Sequence, residues 1–317
     1  MSADSLTSAP RLSTGPAAAL AVDSAALTGR ARLILASCGL GLLVTLLWSF
    51  EFVDSTIGDN VANTLLGRDA KADAIGGTGA AIAFAFVSGL AGTFTACNVA
   101  AFSAIAPLSC QRRALGDVLR PLGWLTLSAC VVAGVYGGIA AAIGTGVPQL
   151  SQDMVGEMPV RLIQSSVIFG VIGLVLILMG LSSLRVIRDP LSAFYARRPR
   201  AQVVIMGALI GAFLVGRPFP LFHKMFEYAA ERQSPLLGAG TFVLQSLGNL
   251  VVMGGLFLVL AYAGNGAFPR WLGARPGRLT RFTAGALLAA GMFTFAYWVF
   301  RVPSHFGVGW WPSMPWS

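Results

Sequence analysis

Seven apolar stretches, near residues 31–53, 76–107, 121–146, 162–184, 202–224, 239–264 and 282–300, reach the roughly 20 residues an α-helix needs to cross hydrocarbon. A chain that is 56% hydrophobic, 11% charged and of mean hydropathy +0.74 cannot cover that much apolar surface as a soluble globule. The expected class is therefore all-α: a multi-pass membrane protein of about seven transmembrane helices whose principal partner is the lipid bilayer. The net charge of +9 does not point to nucleic acid, because the basic residues fall in short clusters between apolar runs. Residues 1–29 and the arginines opening helix one, with the loops 108–120, 185–200 and 265–281, hold 15 of them, and the alternate loops and the C-terminal end hold six. The positive-inside rule then puts the N-terminus in the cytoplasm and the C-terminus outside a plasma or inner membrane.

Two of the apolar stretches are interrupted near their centres. Ala83 to Pro107 carries Gly89, Gly92, Thr93, Thr95, Cys97 and Asn98 in mid-segment. Gly207 to Ala230 is broken at Gly216, Arg217, Pro218 and Pro220. Hydrocarbon offers no partner for hydroxyl, amide or freed backbone groups, so such interruptions must face protein or a water-lined cavity. Paired broken helices in two halves of a chain mark a binding site in repeat-built membrane proteins. Arg217 is permanently charged, and a guanidinium at the centre of a span costs at least ~2.5 kcal/mol unless water or a partner relieves it. It either snorkels to the outer headgroups or serves an anion held between the breaks. The residues expected to contact a small solute are Thr93, Thr95, Asn98, Arg217, Pro218, Phe219, Pro220 and His223.

The flanking segments are read more simply. Residues 1–29 lack an apolar helical face and are expected to be a disordered cytoplasmic tail, with an extra transmembrane helix over 30–53. Residues 54–75, with four aspartates, form an outer loop that can lie as a short amphipathic stretch on the membrane surface. Residues 301–317 form a Trp-rich outer tail, where Trp298, Trp310, Trp311 and Trp316 read as an interfacial girdle. His305 stands among them without ligating partners in sequence. Cys38, Cys97, Cys110 and Cys130 show no CxxC spacing, so neither a disulfide framework nor a metal site is indicated. Nor does any glycine-rich phosphate motif or haem-ligand cluster appear, and no cofactor is expected.

The last six spans divide into two sets of three, each opening with an interrupted helix; an odd number per half inverts one half relative to the other. Over residues 76–300 this arrangement resembles the transmembrane thiol-disulfide electron carriers of the CcdA and DsbD type and, more broadly, the LysE-like transporter architecture. The segment GLAGTFTACN is similar to that family's glycine-rich approach to a Pro-Cys motif, with Ala96 in the proline's place and Cys97 at the cysteine. GAFLVGRPFP resembles the second approach, with Pro218 at the proline and Phe219 where the second cysteine would stand. The resemblance implies a catalytic role for Cys97 in cytochrome c biogenesis or extracytoplasmic thiol maintenance, with an extracytoplasmic thioredoxin-like protein as partner. Thiol exchange across a bilayer needs two sulfurs, however, and Cys97 lacks its counterpart. Three functions follow from the sequence: a transporter-like protein that binds or moves a small anion, carboxylate or thiol compound; an electron relay using Cys97 with a second thiol such as Cys130; or a membrane scaffold subunit.

Overall fold

The structure, a computed structural model, describes residues 16–49, 51–94, 115–147, 149–151, 153–188, 197, 198, 200–215, 219–275, 277–312 and 314. It is mostly helical, and five of its helices are long and apolar enough to cross a membrane. Helix α1 runs Pro16–Leu47, α4 Leu115–Ile143, α5 Val160–Ser183, α8 Pro235–Gly273 and α9 Arg278–Ala296. The interrupted segments give two shorter apolar helices, α3 (Thr78–Ala91) and α6 (Ala201–Val215). At 1.5 Å per residue they are about 21 and 22 Å long, short of the ~30 Å hydrocarbon core. Helix α3 tightens into a 3₁₀ turn at Gly92–Phe94, and the chain restarts after α6 as α7, Pro220–Glu231.

The close contacts fix the relative directions of four helix pairs. Ser88 meets Gln245 and Thr93 meets Asn249, so α3 and α8 run parallel. Gly207 abuts Leu125 and Gly211 abuts Ala129, so α4 and α6 are parallel too. Helices α4 and α8 cross antiparallel at Gly137 and Gly238, and α5 and α9 cross antiparallel at Gly173 and Gly291. A Cβ on Gly137 would stand 2.6 Å from the Gly238 carbonyl oxygen, closer than atoms can approach. Glycine is thus required at these crossings because dispersion packing, which replaces hydrophobic exclusion inside lipid, needs the backbones to touch.

Several elements depart from the sequence reading. The expected disordered tail is helical from Pro16 onward, because its alanines favour helix and a proline is accommodated in the first turn. Helix α8, at 39 residues, continues through Gly273 into the expected 265–281 loop and is about 58 Å long, beyond any bilayer. A two-residue hairpin, β1 (Met154–Val155) with β2 (Met158–Pro159), interrupts the all-helical pattern ahead of α5. Residues 51–66 coil as a π-helical turn, Glu51–Gly58, followed by the short helix α2, Asp59–Leu66. Its Ala62 is buried in the same apolar cluster as Phe84, Phe219 and Phe226, so this stretch packs on protein. Trp298 is no interfacial residue either: it is buried and stacks on Phe169 with ring centroids 4.5 Å apart.

Candidate functional site

Helix α7 begins where the second break ends. Phe219 is extended, Pro220 occupies the first helical turn, and no side chain caps the turn. Proline fits there because its missing N–H would be unpaired in any case. One face of α7 carries Leu221, Phe222, Met225 and Phe226 into the core, while Pro220 and His223 face the other way. Lys224 fastens the helix by donating hydrogen bonds to the carbonyls of Ala70, Lys71 and Asp73.

Pro220 and His223 line a cavity of about 520 Å³ at the bundle end where α1 and α9 finish and α5 starts. That is within the size range of small-molecule sites. Helix α5 contributes Arg161 and Leu162 from its first turn, also without a side-chain cap. A π-helical turn closes α9 at Tyr297–Arg301 and supplies Tyr297, Trp298 and Arg301; His305 and Phe306 follow it, and Glu51 enters from the other π turn. π turns shift the phase of a helix by adding a residue, which brings side chains inward that a regular helix would scatter.

The two arginines differ in what holds them. Arg301 is 3% exposed, donates to the Thr45 carbonyl and lies 5.5 Å from the Tyr297 ring centre, which ties the ends of α1 and α9 together. Arg161 is half-buried and forms no ion pair with a described carboxylate. Burial, reinforced by the Arg161 charge, pushes His223 below its ordinary pKa, against the opposing effects of Glu227 and the Gln149 backbone. Burial and then Arg301 lower His305 in the same way. Both shifts favour the neutral imidazole, and the lining carries Arg161 and Arg301 with Glu51. Acidification adds up to two positive charges. Two uncapped helix N-termini add partial positive charge at the same wall, so the arrangement suits an anion.

The sequence-derived set is divided by this geometry. Pro220 and His223 line the cavity. Phe219 is buried in the core, edge-on to Phe222 at 5.3 Å and close to the backbone of Gly58. Thr93 is buried in the 3₁₀ turn that follows α3 and does not line the cavity, donating weakly to the carbonyls of Asn249 and Gly89 at 3.3 and 3.4 Å. Thr95, Cys97, Asn98, Arg217 and Pro218 lie outside the described residues. Glu51, Arg161, Tyr297 and Arg301 are absent from the sequence-derived set, and Trp298 and His305, expected in an interfacial tail, join them in the lining. The basic signal was present in Arg161 and Arg301, each at the edge of an apolar run, but each read as an ordinary loop charge.

No family model, curated protein or solved structure matches the chain.

Proposed function

We propose that the protein is a transporter-like membrane protein that binds or moves a small anionic solute, a carboxylate or a thiol compound among the candidates, beside its second broken helix. The observation that carries this reading is the cavity lined by Arg161, His223, Arg301 and His305 next to Pro220. On this reading α3 and α6 enter the membrane as half-helices and complete a seven-span count, with the basic end of the bundle cytoplasmic and the cavity opening outside.

The 3+3 inverted repeat draws support from the packing. Exchanging α3 with α6, α4 with α8 and α5 with α9 maps the parallel pair α4–α6 onto α8–α3, and each of the antiparallel pairs α4–α8 and α5–α9 onto itself. Gly207 follows Gly89 by 118 residues and makes the equivalent close approach; Gly291 follows Gly173 by the same 118. This is the relation an internal repeat would leave, and it agrees with the architecture of the CcdA, DsbD and LysE-like proteins that the sequence resembles.

The test is calorimetric titration of the purified protein with sulfate, phosphate, short carboxylates and small thiols, followed by uptake into proteoliposomes. A ligand at 100 times its Kd should also raise stability by about 2.7 kcal/mol, readable as a higher Tm. Arg217→Leu should remove solute handling and leave insertion intact, with Arg217→Lys rescuing only part because a point charge lacks the planar fork. Absence of any anion response overturns the reading, and failure of Arg217→Leu to insert makes that residue a structural anchor.

A thiol relay is the second reading, favoured by one observation. Cys130 on α4 lies beside Ser246 on α8, within one turn of Asn249, whose carbonyl accepts from Thr93. A second thiol thus stands against the same turn of α8 as the approach to Cys97.

A further inference from the structure

A second cavity, of about 420 Å³, runs along the seam between α1 and α9 and shares no lining residue with the basic-and-aromatic site. Its walls are apolar along most of their length, Leu33, Leu40 and Val44 facing Phe282, Ala289 and Phe293. The helices touch where Gly41 meets the Ala289 backbone, and at Gly285 the neighbours across the seam are side chains, Ser37 and Leu33. Helix α1 packs chiefly on α9 and turns the rest of its surface outward, with Leu35 73% and Leu47 59% exposed. In a bilayer an apolar seam of this kind faces hydrocarbon.

One residue breaks the apolar pattern. Arg281 lines the cavity at its end, in the first turn of the α9 span, at the depth where headgroups lie. Because α1 and α9 run parallel, Arg30 and Arg32, which open the apolar span of α1, stand toward that same end and are exposed. Neighbouring Arg278 is already engaged, stacking on Trp271 at 4.5 Å and donating to its carbonyl at 2.6 Å. No described carboxylate pairs with Arg281. An apolar slot in the bilayer ending at an unneutralised guanidinium has the two features of an anionic phospholipid in the correct order.

We propose that this groove binds one acyl chain of an anionic phospholipid whose phosphate is held by Arg281. The lipid thereby completes the packing of α1, which the protein alone holds along a single seam. Basic pockets between transmembrane helices on the cytoplasmic side are an established way of holding such headgroups.

Native mass spectrometry of the purified full chain, with phosphatidylglycerol and phosphatidylcholine of identical acyl chains, tests the proposal. Wild type should retain one phosphatidylglycerol with about a fivefold preference, the equivalent of the ~1 kcal/mol a basic side chain contributes at an anionic surface. Arg281→Gln should reduce that preference to near one, and Arg281→Lys should keep most of it. Gly285→Leu, or Ala286→Leu if that variant does not fold, should expel both lipids by filling the slot. Equal retention of the two lipids by wild type, or a preference unchanged in Arg281→Gln, overturns the proposal. So does a lipid count unaffected by both filling variants, which means annular lipid, or a dimer that those variants dissociate, which means a second copy covers the seam.

Discussion

Substituting Arg161 by Gln separates a solute-facing charge from a structural one, because the cavity holds one arginine of each kind. Arg301 is buried against the Thr45 carbonyl and the Tyr297 ring, whereas Arg161 is half-buried and outside any ion pair among the described residues. A hydrogen bond from a charged group contributes about 1.5–3 kcal/mol, so Arg161→Gln should weaken anion binding by about 10- to 150-fold. Tm without ligand should change little. A second effect follows from the histidine. Arg161 is, after burial, the main influence holding His223 down, so its removal raises the pKa of His223 toward the ordinary value of about 6.5. The bound anion prefers the protonated imidazole; affinity in the wild type therefore rises as pH falls through a midpoint below 6.5, and in Arg161→Gln that midpoint moves upward. Linkage gives the unliganded protein the opposite dependence: with His223 depressed in the folded state, its contribution to stability is complete above the unfolded pKa. That contribution is lost as pH falls through the folded one. Titration calorimetry from pH 5 to 8 on both proteins, with thermal unfolding in parallel, measures all three quantities. An unchanged Kd in Arg161→Gln, or a wild-type affinity that falls with acidification, refutes the assignment.

Gly238→Leu drives a side chain into the Gly137 backbone and should cost at least the 1–3 kcal/mol typical of overpacking, whereas Gly240→Leu, with open space around it, should leave Tm nearly unchanged. Comparable losses in the two variants would show that α4 and α8 do not cross there. Cys97→Ser should keep most solute handling while Cys97→Leu blocks it, since a cavity wall needs only a small, weakly polar group; a trapped Cys97 mixed disulfide, or a reversible Cys97–Cys130 bridge, would instead establish the relay. An impermeant thiol label should reach a cysteine placed at Ser55 from outside and one at Ser192 only from the cytoplasm, and the reverse labelling would invert the topology.

The long spans are legible because bilayer thickness imposes a length that composition alone records, and the restart at α7 is legible because Pro220 suits the first turn of a helix. The cavity is not, for a reason that Arg161 and Arg301 illustrate. They stand 140 positions apart, each at the end of an apolar run, and a linear reading assigns such charges to loops and headgroups. Only the antiparallel pairing of α5 with α9 brings the start of one helix to the finish of the other. The π turn at Tyr297–Arg301 then adds a residue that no 3.6-residue count anticipates, and it carries Trp298 inward onto Phe169. The helix over residues 16–29 leaves no periodic apolar signal, because alanine propensity needs no apolar face.

The polar groups inside the bundle are sorted by charge as well as by position. Toward the first break the buried polar side chains are neutral: Ser88, Thr93, Gln245 and Asn249 meet between α3 and α8, and Gln245 keeps an Oε1 without a hydrogen-bond partner among the described residues. The guanidinium and imidazole groups described near the second break collect instead at the bundle end, where Glu51 and His305 are exposed and water reaches them. Desolvation accounts for the division, since a charge deep in the bilayer costs several kcal/mol where an amide or hydroxyl costs far less. If the protein handles an anion as proposed, the same division sets an order of events. It is attracted at the charged end, where removing the guanidinium should lower affinity most, and any passage toward the first break must exchange charge pairing for hydrogen bonds to neutral amides and hydroxyls.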